Sequence, residues 1–166
     1  MKNEKTNILI LCTGNSARSI LAEALINQHG NGTVAGFSAG SAPVGEVNPL
    51  AIRLLENKGH FVSGLRSKSW DEFAKPRAQE IHFVITVCDN AAGETCPVWP
   101  GHPITAHWGI SDPAGVEGTN EEKAEAFSLA YDRLEKRVLA FLPLLRKDLD
   151  AETLKTRLNA IGQYSD

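Results

Sequence analysis

Cysteine, methionine and aromatic residues are scarce in this 166-residue chain, which has three cysteines, one methionine and 7% Phe, Trp and Tyr. The three cysteines, Cys12, Cys88 and Cys96, are odd in number and too few for a disulfide framework, so in a reducing compartment they rest as thiols. No run of like charge is present, and 17 basic against 20 acidic side chains give a net charge of -3. That balance excludes the concentrated positive patch of a duplex nucleic-acid binder or a polybasic membrane-surface protein, while leaving room for a local anion site. Long hydrophobic runs are missing too. The first apolar run, Ile8 to Leu11, is far short of a secretory segment or of the roughly 20 residues that span a membrane, so the expected location is the cytoplasm. There is no internal repeat, linker or low-complexity stretch. What remains is one domain's worth of chain, with 42% apolar residues to build a core without metals or disulfide staples.

Apolar runs alternate with helical patterns along this chain. Ile8 to Cys12 is a continuous apolar run entering a glycine turn, as in a strand buried on both faces. Ile20, Leu21, Ala24 and Leu25 then recur at helical spacing until Gly30 and Gly32, and Val34 to Ala39 reads as a second strand. Asn48-Pro49 is a cap followed by proline at the first helical position, opening a helix that Gly59 ends. Ser69 and Glu72 have capping-box spacing but Pro76 follows closely, so a turn or two of helix is expected. Ile81 to Val87 is the third strand and Ile104 to Trp108 the fourth. Thr119 with Glu122 forms another capping box, and Phe127, Tyr131, Leu134, Val138 and Leu142 hold one helical face to about Arg146, with a kink expected at Pro143. Ala151, Leu154, Leu158 and Ile161 mark a last amphipathic segment. The pattern predicts an α/β fold, an open, mostly parallel four-stranded sheet with helices on both faces, spanning 1–147, plus a C-terminal helical extension over 148–166. Ligands in such folds bind at the carboxyl ends of the strands, where Cys12 and Cys88 fall.

The stretch from Cys12 to Ser19, Cys-Thr-Gly-Asn-Ser-Ala-Arg-Ser, sets a cysteine and an arginine six positions apart across a glycine turn between strand and helix. Backbone N–H groups of Thr13, Gly14, Asn15, Ser16 and Ala17, with the helix N-terminus, make a concave anion site in such a loop. Arg18 can grip two oxyanion oxygens through its planar fork, and a thiolate at Cys12 would lie beneath the central atom for in-line attack. The positive surroundings are expected to lower the Cys12 pKa from about 8.5 toward the roughly 3.5 to 7.5 range, with Ser19 donating a hydrogen bond to the sulfur. The five histidines lack ligand spacing on any one element, so no metal or other cofactor is expected.

The Cys12–Ser19 loop, Ser38-Ala-Gly40, Asn48-Pro49 and Asp112-Pro113 together resemble the low-molecular-weight protein tyrosine phosphatase superfamily over about residues 7 to 147. The resemblance implies that Asp112, on a mobile loop over the pocket, is the general acid; read alone, Asp112-Pro113 is a turn dipeptide. It also implies that Asn15, Glu23 and Ser38 help hold the loop, in some relatives around a monovalent cation, with Lys68 able to stand in for that cation. Tyrosine phosphatases of the superfamily usually carry a second loop cysteine, an aromatic wall and a tyrosine after Asp-Pro. This chain has Ala17, Ala42-Pro43-Val44 and Ala114-Gly115 there.

The segment His107 to Gly115 and the pair Cys88 and Cys96 instead resemble the arsenate reductase branch. Arsenate is a tetrahedral oxyanion, and its two-electron reduction draws on two thiols. The resemblance implies that Cys12 forms the arsenic adduct, Cys88 attacks Cys12 to release arsenite, and Cys96 takes over the disulfide for a reductant. Thioredoxin is the reductant this implies, with glutaredoxin and glutathione the alternative. A tyrosine phosphatase and a phosphate-binding or phosphocysteine carrier module are the competing readings, and a carrier would need neither Asp112 nor the relay thiols. If the first and third strands pair, Cys12 and Cys88 start within bridging range, whereas helical spacing would hold Cys88 and Cys96 about 12 Å apart. Oxidation is therefore expected to reorganise 88 to 97.

Overall fold

The computed structural model describes residues 5–75, 78–88 and 103–164. Four parallel strands form one sheet: β1 (Thr6–Leu11), β2 (Val34–Ala39), β3 (Phe83–Thr86) and β4 (Ile104–His107), in the order β2-β1-β3-β4. β1 is central, and alternate residues along it enter different cores, which is why its apolar run is unbroken. Ile8 and Ile10 join the main core with α1 (Arg18–His29), α2 (Pro49–Asn57), α4 (Asn120–Phe141) and α5 (Ala151–Ile161). Leu9 and Leu11 join a smaller core with Phe73 of α3 (Asp71–Ala74), Ile81 and Val84.

Caps that the sequence advertises are in place at two helices. Asn48 Oδ1 accepts from the Leu50 N–H with Pro49 in the first turn of α2, and Thr119 and Glu122 cap α4 reciprocally. Ser69 departs from expectation: its hydroxyl accepts from Asp71 N–H, because the Glu72 carboxylate is occupied by the Arg66 fork at 2.6 and 3.0 Å. Only one turn of helix results. α4 also stops short of Arg146; Pro143 supplies no N–H for the next α-helical bond, and Leu142–Arg146 tightens into a 3-10 turn.

Phe141 closes the main core by meeting two rings edge-on, Phe83 at 5.3 Å and Trp108 at 5.8 Å between centroids. It is fully buried. Phe141→Ala is expected to lower unfolding free energy by about 3 to 5 kcal/mol, from lost transfer energy plus the cavity left behind. Chemical denaturation checks this, and a loss below about 1 kcal/mol would mean that the core collapses around the gap.

The chain runs from β1 to β2 on one side and later to β3 on the other, so a crevice opens between β1 and β3. Leu11 is paired with Ala39 and Thr86, which brings the residues just beyond three strand ends together: Cys12, Gly40 and the Val87–Cys88 step. No described helix is long and apolar enough to cross a membrane.

Candidate active site

The loop between β1 and α1 is shaped by ties to two other segments. Asn15 sits at φ 46°, a left-handed conformation that asparagine tolerates better than most residues, and it is fully buried. Its Oδ1 accepts from the Lys68 N–H at 2.9 Å and its Nδ2 donates to Ser19 Oγ at 2.8 Å. The carbonyls of Thr13, Gly14 and Ser16 accept from the N–H groups of Ala42, Val44 and Asn48. Ser67 Oγ also donates to the Gly14 carbonyl while accepting from Gly45 N–H. These bonds fix the path of the loop through its carbonyls. Gly40 permits this packing, since a Cβ there would lie 2.4 Å from the Thr13 carbonyl oxygen. α1 begins with Ala17, which offers no side-chain cap, leaving first-turn amides free to meet an anion.

Behind the loop, Ser38 Oγ donates to Glu23 Oε1 at 2.5 Å, and Lys68 Nζ lies 3.7 Å from the same oxygen and donates to the Arg66 carbonyl. All three are buried. Burial pushes the Glu23 carboxyl up and the Lys68 ammonium down, and each restrains the other's shift. The Lys68 amino group thus lies beside Glu23, in the place the resemblance assigns to a cation.

Cys12 and Cys88 are both buried thiols, placed side by side just beyond the ends of the paired strands β1 and β3. The Thr13 N–H points at Cys88 Sγ at 3.4 Å, with the Thr13 hydroxyl 3.6 Å from it. Thr13 therefore serves Cys88 here, whereas the sequence assigned its N–H to an oxyanion. Cys12 departs further from expectation. Its pKa is raised above the ordinary thiol value, chiefly because the Cys88 contact and then burial favour the protonated form. Arg18 and the Gly14 N–H act in the opposite direction and do not prevail. Ser19, expected to donate to the sulfur, accepts from Asn15 Nδ2 through its Oγ. The sequence showed the loop's positive field but not the second thiol lodged in it.

Arg18 is held by the loop after β4. Its guanidinium donates to the Ile110 carbonyl at 3.0 Å and lies 3.8 Å from Asp112 Oδ2, tying the loop after β4 to the start of α1. Asp112 is half exposed, and its other oxygen accepts from Ala114 N–H, capping the turn Pro113–Gly115. The turn reading of Asp112 is thus met by one oxygen, and the other lies toward Arg18. Cys96 lies outside the described residues, as does the expected reorganisation of 88 to 97 beyond Cys88. Ser67 and the Ile110 carbonyl escaped sequence reasoning, because each acts through contacts with residues distant in the chain. Among the described residues, no group of three or more His, Cys, Asp or Glu could hold a metal.

Residues 7–153 match the family described as low molecular weight phosphotyrosine protein phosphatase. The chain belongs to this family. Within it, the chain is 36% identical over 137 residues to an arsenate reductase of Halalkalibacterium halodurans, covering 82% of this chain and 95% of the relative. It is also 36% identical over 138 residues to an arsenate reductase of Bacillus subtilis, covering 83% and 96%. Among solved structures, an arsenate reductase in its oxidised state superposes with a TM-score of 0.69 at 26% identity, covering 84% of this chain and 98% of that one. The arsenate reductase of Archaeoglobus fulgidus superposes with a TM-score of 0.58 at 27% identity, covering 79% and 98%.

Proposed function

We propose that this chain is an arsenate reductase that works through a three-thiol relay in the cytoplasm, where its thiols are kept reduced. The observation that carries the reading is the placement of two buried thiols, Cys12 and Cys88, at the adjoining ends of β1 and β3, with the Thr13 N–H of the loop directed at Cys88 Sγ. A phosphatase uses one thiol; a second one beside it supplies the other electron source that arsenic(V) requires.

Arsenate enters the cradle, Arg18 leaves the Ile110 carbonyl for the oxyanion oxygens, and the Cys12 sulfur attacks arsenic. As the S–As bond forms, an As–OH oxygen departs as water with Asp112 delivering the proton, while the proton of the Cys12 thiol passes to another arsenate oxygen. Cys88 then attacks the Cys12 sulfur. The S–As bond breaks with its electron pair left on arsenic, so arsenic(V) becomes arsenite while two thiols become a disulfide. The Thr13 N–H donates toward Cys88 Sγ, an arrangement that suits a sulfur nucleophile. Cys96 next attacks Cys88, freeing Cys12 and leaving a Cys88–Cys96 disulfide for thioredoxin.

Arsenite release measured with thioredoxin, set beside glutaredoxin with glutathione, tests the reading. Turnover with thioredoxin is expected; turnover only with glutathione would remove Cys96 from the relay. Asp112→Asn should slow adduct formation on the order of 10² to 10⁴-fold while oxyanion binding stays intact. A parallel fall in oxyanion affinity would make Asp112 a structural residue of the loop.

A further inference from the structure

The family match ends at residue 153, near the start of α5, yet the remainder of that helix is anchored to the segment that leads to Asp112. β4 is the last strand of the sheet, and α5 lies against it. The Trp108 indole Nε1 donates to the Leu158 carbonyl at 2.9 Å, and Asn159 Oδ1 accepts from the His107 N–H at 3.4 Å. Gly162 comes so close that a Cβ on it would lie 2.2 Å from the His107 carbonyl oxygen. Arg137, buried on α4, completes the tie. One guanidinium nitrogen donates to the Trp108 and Gly109 carbonyls at 3.3 and 3.2 Å, and the other donates to the Tyr164 carbonyl at 3.3 Å.

From the sheet side, Trp108 N–H donates to Thr86 and Ile110 N–H to Val87. Residues 107 to 110 are thus held on both sides, and the Ile110 carbonyl is the one that receives Arg18. Asp112 lies only two residues beyond.

We infer that the α5 helix and Arg137 are positioning elements for the reaction, setting where Asp112 stands over the loop. This rests on the proton-donor reading of Asp112. A side chain that must deliver a proton to a departing oxygen has to be placed within a fraction of an ångström, and placement errors of about 1 Å cost on the order of 10²-fold in rate. The Arg137 fork suits the task because one planar group joins the loop backbone to the C-terminal backbone, which the single head of a lysine cannot do.

The experiment uses the full chain carrying Gly162→Val, whose side chain would collide with His107 and lift the helix end, with Arg137→Lys as a milder second variant. Amide hydrogen exchange over 107–112, kcat and KM for arsenate, and thermal melting are measured for each, alone and combined with Asp112→Asn. The expected result is faster exchange over 107–112 with a kcat loss of about 10 to 10²-fold and little change in KM. In the Asp112→Asn background the same substitution should cost less than about twofold, because the group it misplaces no longer reacts. Faster exchange with unchanged kcat, or losses that multiply across the two substitutions, would overturn the inference. So would a variant that melts as the parent does and alters neither exchange nor kcat. If Asp112→Asn alone turns over normally, the proton-donor reading falls and takes this one with it. A slow Asp112→Asn beside an unimpaired, loosened Gly162→Val removes the positioning role alone.

Discussion

Cys12→Ser protein is expected to release arsenite slower than the parent by on the order of 10⁴-fold or more, while still binding an oxyanion. The proposed cradle consists of backbone N–H groups and Arg18, none of which the substitution removes. The electrons are what it removes. A serine oxygen could at most form an arsenate ester, and attack by Cys88 on that oxygen cannot leave an electron pair on arsenic. Competition by phosphate against alkylation of Cys88 would show that the cradle still fills. Substantial arsenite release by Cys12→Ser would place the first nucleophile elsewhere.

Cys88→Ala should produce two opposite changes in one protein. Cys88 is the leading cause of the raised Cys12 pKa, followed by burial, and truncation to alanine weakens both. The sign follows directly: the protonated form loses its favoured partner, the midpoint of Cys12 alkylation moves to lower pH, and the fraction of thiolate at neutral pH rises. Cys12 should therefore alkylate faster at pH 7 than in the parent. Yet arsenite release should stop, because nothing remains to attack the Cys12 sulfur once arsenic is bound to it. A midpoint that does not move would mean that the contact with Cys88 leaves Cys12 unperturbed. Continued arsenite release would show that Cys88 is not the second thiol.

Local signals carried much of this structure. The buried run of β1, the Asn48-Pro49 start of α2 and the Thr119–Glu122 box of α4 all act between near neighbours, and all appear as expected. The Cys12-to-Ser19 loop was legible for the same reason, since its glycine turn, strand end and helix start adjoin in sequence. What stayed hidden depends on distant parts of the chain. Thr13 meets Cys88 across 75 positions and Arg18 meets the Ile110 carbonyl across 92, and no spacing rule reports either. The ionisation of Cys12 was misjudged on these grounds: helix and arginine were visible, but the neighbouring thiol and the depth of burial were not. Arg137 drew no reading from the sequence, and its head lies buried among three carbonyls.

The central claim is that arsenic is reduced by the chain's own thiols in a fixed order. Fully reduced protein is mixed with one equivalent of arsenate and no external reductant, arsenite is counted, and the disulfides are trapped at low pH and mapped by mass spectrometry. The account predicts about one arsenite per chain with a Cys88–Cys96 disulfide and free Cys12. In Cys96→Ser protein it predicts the same arsenite with a Cys12–Cys88 disulfide that thioredoxin does not recycle. Arsenite formed while Cys88 stays reduced, or full multiple turnover by Cys96→Ser with thioredoxin, would contradict it.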